Sequence, residues 1–399
     1  MRGMSLRNSK LIPRLDVRYE LEDFHRALGD SDEWQRPLRA ALEKFWPGME
    51  PVFVNSGRVA ILLALRSLGL GQGSRVGVPV YTCEAVYSAV VRSGAIPVFL
   101  DVNVDTLTLD PVDLERKSGD LDGVVAVHTF GHPADMDPMH CLPRRVKVIE
   151  DCAHAVGSRY RGRTAGTLGD AAAFSFRLGK PISAGNLGMM LSSDREVIRR
   201  ARDVAARFPP RSITGHVRDC LVSMFRGFIY RPPWFGTLGL PVGSIFDDAF
   251  DLMDKHSFRP MRPSVGSLAV LADRFLGLPR RVRVARERAA VLASYLRGTS
   301  ISPPSEAPWA FHTYFQFAMR FRDRGARERG AAGLRDHGVD SIRFYQDSPA
   351  IAARYGYRRD CATAESLAKT ILTVPCHANL SNHEFGFVAD AVRAVGEVI

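Results

Sequence analysis

Hydrophobic positions along the 399-residue chain change their period several times. Trp34, Leu38, Leu42 and Phe45 recur at helical spacing and predict a helix over 34–45. Val54-Asn55-Ser56-Gly57 then reads as a turn that opens an apolar helix over 58–68, stopped by Gly69. Short apolar runs follow at 75–79, 96–101, 123–128, 146–150, 171–176 and 187–192, each of strand length. Segments of helical pattern at 83–93, 111–117, 135–142 and 194–206 separate or follow them. This alternation predicts an α/β chain with a mainly parallel sheet covered on both faces.

From about 207 to 257 proline, glycine and aromatic residues break the rhythm. Helices at 264–276 and 280–297, a strand at 311–321 and helices at 326–337 and 382–398 then form a second α/β unit. A chain this long exceeds one usual core. The expected division is a large domain over 1–256, with a polar N-terminal arm and the atypical segment at about 207–256. A smaller C-terminal α/β domain over 257–399 completes it. The apolar stretch LVSMFRGFIYRPPWFGTLGLP (221–241) is expected to pack against the large domain or a partner subunit. A cover over the substrate, or contact with a lipid-like tail, is the alternative.

Composition is ordinary for a globular chain, 46% hydrophobic and 24% charged. The formal net charge of +11 suits an anionic small molecule or a nucleic acid. No zinc-finger spacing or concentrated basic tract accompanies it, so no nucleic-acid partner is expected. The apolar runs fall short of the ~20 residues of a membrane span, and the N-terminus lacks the apolar core of a signal peptide. Six scattered cysteines without a CxxC pair read as reduced thiols of a cytoplasmic protein. His128, His132, Asp135 and Asp137 read as helix capping and packing, and no metal is expected. Gly69, Gly71 and Gly73 make a turn; no strand leads into them as a dinucleotide fingerprint requires.

Ligands of an open parallel sheet sit outside the carboxyl ends of its strands. Two predicted strands run there into Glu150-Asp151-Cys152-Ala153-His154 and Ser175-Phe176-Arg177-Leu178-Gly179-Lys180. Asn55-Ser56-Gly57 adds a helix N-terminus, where a phosphate is well held. A carboxylate, a lysine and a phosphate site at one edge suit pyridoxal 5'-phosphate (PLP). The lysine amine can form an imine with the aldehyde, and the carboxylate can keep the pyridine nitrogen protonated. By spacing alone, Asp151 as a helix cap and Lys180 as a solvated side chain remain open.

The segments NSGRVAILLALRSLGLGQGSRVGVPVYT, GAIPVFLDVNVDTLTLD, HTFGHPADMD, VIEDCAHAVGSRYRGRTAGTLGDAAAFSFRLGK and ILTVPCHANLS together resemble the DegT/StrS-type sugar aminotransferases. The resemblance runs from about residue 34 to the C-terminus. It implies PLP-dependent fold type I, with a large domain of mainly parallel sheet and a smaller C-terminal α/β domain. Lys180 stands at the family's Schiff-base lysine, and Asp151 at the residue that pairs with the pyridine nitrogen. His154 stands where a Gln or His approaches the phenolic oxygen. Ser175 and Ser56-Gly57-Arg58 match phosphate contacts, although the family usually has Thr at Arg58. Cys83 holds the place of an aromatic residue over the ring, a role that Tyr81 could take instead. Ser257-Phe258-Arg259-Pro260-Met261 lacks the Asn that a partner subunit usually sends to the phosphate, with Arg259 as a stand-in.

The resemblance further implies a homodimer that moves an amino group from glutamate to a keto-sugar, nucleotide-linked, or to a related cyclitol. Sugar dehydration and a non-catalytic sensor are the alternatives. Lys180 counts against dehydration, because dehydrating relatives carry His there. Intact Lys180 and Asp151 count against the sensor.

Overall fold

The computed structural model describes residues 11–29, 32–240 and 258–399. Its centre is a seven-stranded sheet of β1 (Glu50–Val54), β2 (Arg75–Pro79), β3 (Ile96–Leu100), β4 (Gly123–Val127), β5 (Lys147–Asp151), β6 (Ala171–Ser175) and β7 (Gly188–Ser192). The spatial order is β1-β7-β6-β5-β4-β2-β3. Strands β6, β5, β4, β2 and β3 are mutually parallel, whereas β7 runs antiparallel to both β6 and β1. Strands β4 and β6 are buried at every position, which is why they read as continuous apolar runs without alternation. Strand β1 was not expected; Val54 ends it and the turn begins at Asn55.

The helix Gly57–Ser67 is apolar on nearly all sides because it packs between the sheet and neighbouring helices. The Ser56 hydroxyl caps it by accepting the Val59 N–H at 3.3 Å. On the sheet's other side, the helix Val265–Leu276 joins Trp46, Phe174, Phe176 and Leu187 in a second cluster. Trp46 stacks edge-on to Phe174 with centroids 4.8 Å apart and donates its indole N–H to the Ala165 carbonyl.

A smaller antiparallel pair, β8 (Phe317–Arg320) with β9 (Ile371–Val374), forms a third cluster with helices Leu278–Tyr295, Arg324–Asp336 and Asn382–Val398. The strand expected over 311–321 is split. Ala310–Phe311 pairs with Arg159–Tyr160 in a separate three-stranded sheet, and only Phe317–Arg320 joins β9. Tyr314, at φ 49°, turns the chain between them. The expected polar arm is packed over its described part. Leu11, Ile12, Val17 and Tyr19 are buried, Ile12 bridges Val339, and Leu21–Leu28 is a helix. The region expected to be irregular contains the helix Ile213–Ile229. Among the described residues, no helix is long and apolar enough to cross a membrane.

Candidate active site

Parallel strands end on one edge, and the chemistry-bearing residues follow from that. Strand β5 ends in Asp151, β6 in Ser175, and β1 leads into Asn55-Ser56-Gly57. Residues 80–83 follow β2, and His128 to Phe130 follow β4. The reversed strand β7 begins at this edge, so Gly188 pairs with Val54 on one side and Ser175 on the other. A Cβ on Gly57 would lie 2.6 Å from the Ser175 Cβ, and one on Gly188 would lie 2.2 Å from the Ser56 carbonyl carbon. Only glycine fits at either position. The close approach brings the helix N-terminus beside Ser175.

Lys180 follows β6 on a turn in which its own N–H bonds the Arg177 carbonyl at 3.1 Å. Its Nζ lies 2.9 Å from His154 Nε2. Burial lowers the Lys180 pKa against the opposing pull of Cys83 and Asp151. Burial raises the Asp151 pKa, opposed by the Ala153 N–H that its Oδ1 accepts at 3.0 Å and by Lys180. Burial, then Lys180, pushes the His154 pKa well below its ordinary value, so the ring is neutral. Toward a charged Lys180, Nε2 acts as acceptor.

The His154 ring is walled by aromatics that sequence reasoning missed. Phe315 lies 4.5 Å away between centroids, Phe130 is near-parallel at 5.8 Å and Tyr345 near-parallel at 6.2 Å. Phe130 and Tyr345 have φ of 53° and 58°, conformations that no spacing in the sequence signals. Cys83 is exposed at the start of the helix Glu84–Ser93, close enough to bias both Lys180 and Tyr345. Tyr81 is buried; its hydroxyl donates to the Phe344 carbonyl at 3.1 Å and its ring meets Tyr345 edge-on.

The Arg58 guanidinium lies over the Phe258 ring at 5.6 Å. Ser257 lies outside the described residues. Asn55 of the same chain holds the following stretch, donating to the Arg259 carbonyl and accepting the Met261 N–H, each at 3.0 Å.

The trio His128, Glu150 and Cys152 has the composition of a metal site. The lone pairs of Glu150 and His128 are in use. Glu150 accepts N–H groups from Gly166, Leu168 and Gly169 and sits 3.0 Å from His128 Nε2. His128 Nδ1 accepts from Ala134, which leaves Nε2 as the donor to Glu150. Glu150, backed by His128, therefore braces the loop before β6.

The donor set around Lys180 fits PLP: an amine, a buried carboxylate across from it, an imidazole, and a helix N-terminus kept clear by Gly57. Comparison with known proteins agrees with this chemistry. Over 364 residues the chain is 30% identical to the dTDP-3-amino-3,4,6-trideoxy-alpha-D-glucose transaminase of Streptomyces venezuelae, covering 87% of this chain and 83% of that protein. It is 28% identical over 353 residues to the GDP-perosamine synthase of Escherichia coli O157:H7, covering 85% and 84% respectively. A protein of Streptococcus pneumoniae solved in a PLP form superposes with a TM-score of 0.77 at 17% identity, covering 97% of this chain and 99% of that one, and shares the fold. Residues 35–210 and 267–393 match the model of the DegT/DnrJ/EryC1/StrS aminotransferase family, and the chain belongs to that family.

Proposed function

We propose that this chain is a PLP-dependent aminotransferase that moves an amino group from glutamate to a keto-sugar, nucleotide-linked, or to a related cyclitol, and that it works as a homodimer. One observation carries the reading: a lysine of lowered pKa, 2.9 Å from a neutral imidazole, with Asp151 close enough to bias it. The relatives whose names specify nucleotide-sugar products support the substrate class.

When bound, the cofactor supplies an aldehyde that takes up amines and a ring that withdraws electrons. Lys180 is the amine that would hold it. Ser175 and the Ser56-Gly57 turn would receive its phosphate, with the helix N-terminus adding partial positive charge. Asp151 would face its ring nitrogen. Cys83 would pack on the ring. His154, neutral and stacked among aromatics, would approach the phenolic oxygen through Nε2, the atom now beside Lys180. Arg58, whose guanidinium lies over the Phe258 ring, would add positive charge beside the phosphate.

Once the amino donor displaces it, Lys180 Nζ is free to take the proton from the donor's α-carbon and to return it on the way to products. Burial, which lowers its pKa, favours the neutral, proton-accepting form of the amine. The basic surface favours encounter with a diphosphate-bearing substrate.

Glutamate added to the PLP-loaded protein should release 2-oxoglutarate in proportion to active sites. Lys180→Ala should stall that release while the protein stays folded. Failure of the loaded wild type with every common amino donor would overturn the assignment, and wild-type release by the Ala variant would remove Lys180 from its role. Light scattering on the same sample reads the assembly, and a fully active monomer would rule out the homodimer.

A further inference from the structure

We propose that Tyr345 lays its ring over the cofactor ring, a part that position 83 cannot play in this chain. The inference rests on the PLP reading above. The Cys83 thiol can touch a flat ring but has no face to set against it, so a stacking surface has to come from another element. Four aromatic rings stand round His154, those of Phe130, Phe315, Phe344 and Tyr345, and Tyr81 lies behind them. Tyr81 and Phe130 are 0% and 1% exposed, so protein already covers both of their faces. Tyr81 stands edge-on to Tyr345 with centroids 5.3 Å apart, and its hydroxyl is engaged by the Phe344 carbonyl. It backs Tyr345 instead of facing a ligand. Phe344 is turned 68° from the His154 plane and Phe315 33°. Tyr345 is partly buried, and its plane lies within 12° of both His154 and Phe130. His154 Nε2 is 2.9 Å from the Lys180 amine. Three rings of one orientation beside that amine give a flat ligand a plane to share, at the offset spacing that aromatic pairs prefer.

The backbone shows how position 345 is held. Tyr345 sits at φ 58°, a conformation that a bulky residue keeps only where its surroundings impose it, and such residues gather at ligand clamps. Before it, Ile342 exchanges two hydrogen bonds with Thr373 of β9, at 3.0 and 2.9 Å, and Arg343 pairs with Glu328 at 2.5 Å. After it, the Ser348 N–H donates to the Tyr345 carbonyl at 3.0 Å. The residue is thus fixed to β9 on one side and packs against the core of the large sheet on the other. Burial first, then Cys83 and Asp151, keep its phenol neutral, which sets the ring near both the thiol and the carboxylate of the site. A cover supplied from this segment couples cofactor loading to the β9 side of the molecule. An aromatic residue at position 83, which follows β2 of the large sheet, would make no such link.

Hydrogen exchange of the full wild-type chain tests the coupling without any substitution. Amides of residues 342–348 should gain protection when PLP is added to the cofactor-free protein. Inorganic phosphate, which brings no ring, should leave them unchanged. Titration with PLP, followed by visible absorbance, then compares variants. Tyr345→Leu should bind PLP about three- to tenfold more weakly and alter the visible circular dichroism of the loaded protein, with an unchanged urea midpoint in the cofactor-free state. Tyr345→Phe should match wild type in both, because the ring and not the hydroxyl is required. Equal affinity and spectrum in Tyr345→Leu overturn the proposal. So does a Phe variant as weak as the Leu variant, or a wild type whose 342–348 amides ignore PLP. Each of these results leaves the aminotransferase reading standing, whereas a wild type that takes up no PLP would overturn both.

Discussion

Asp151 shows how much a single carboxylate is constrained at this site. It is buried, its Oδ1 is engaged by the Ala153 N–H, and Lys180 is the cation that offsets part of its burial. Asparagine keeps the shape and the hydrogen bond but removes the charge that would hold a proton on the cofactor's ring nitrogen. Asp151→Asn should keep part of the PLP binding and lose turnover by about 10²–10³-fold. Steady-state kinetics on the reloaded variant measures this, and an unchanged rate would make Asp151 a structural residue. Asp151, Lys180 and the Ser56-Gly57 turn could be picked out in the sequence because they fall at a strand end, just beyond one, or at a helix start, and His154 and Ser175 through the resemblance to the family. The walls of the pocket could not. Phe130 and Tyr345 owe their positions to left-handed backbone, and Phe315 to a turn whose register is set by Thr313 Oγ1, 2.9 Å from Ser158 Oγ.

Among the elements, the junction of β1, β6 and β7 builds the end of the site proposed to receive the phosphate. Val54, Gly188 and Ser175 lie side by side across three strands, and the Ser56 carbonyl occupies the space of a Gly188 side chain. Gly188→Ala must push the turn off the sheet. A loss of about 1–3 kcal/mol of stability is expected, with weakened retention of PLP. Urea unfolding and the cofactor content of the purified variant check this; an alanine protein with wild-type stability and occupancy would mean that the turn is free to move. Strand β1 was hidden in the sequence because Glu50-Pro51-Val52-Phe53-Val54 has a proline at its second position and follows directly on a turn. The helix Ile213–Ile229 was hidden for a different reason. Its apolar residues fall on both its packed and its exposed sides, so no amphipathic period marks it. The parallel strands were legible because burial on both faces leaves a continuous apolar run at each.

At the scale of the whole molecule, the long-range contacts are what the chain's linear pattern conceals. Ile12 is paired with Val339, and the segment 306–315 is laid against the loop that follows β4. His132 is the hinge of that second contact. It is buried, its Nδ1 donates to the Pro133 carbonyl at 2.7 Å, and its Nε2 accepts the Ala307 N–H at 3.2 Å. A neutral ring satisfies both partners; a second ring proton would confront the Ala307 N–H. Burial accordingly lowers the His132 pKa to about 4, against the opposing pull of Glu306. The sign follows from the unfolded chain, where this histidine titrates near 6.5. Between those values the unfolded state binds a proton that the folded state refuses, so stability falls as pH falls. Both states are neutral above the window, and the loss is complete once pH drops below the folded value. From pH 7 to pH 5 the contribution lost is about 2 kcal/mol. Because carboxylates also titrate on the acid side, the comparison is with His132→Gln, whose amide can donate and accept without taking a proton. Urea midpoints at pH 7 and pH 5 should show a smaller drop for the Gln variant than for wild type. An equal drop in both proteins would assign the acid sensitivity to other groups and leave His132 as packing alone.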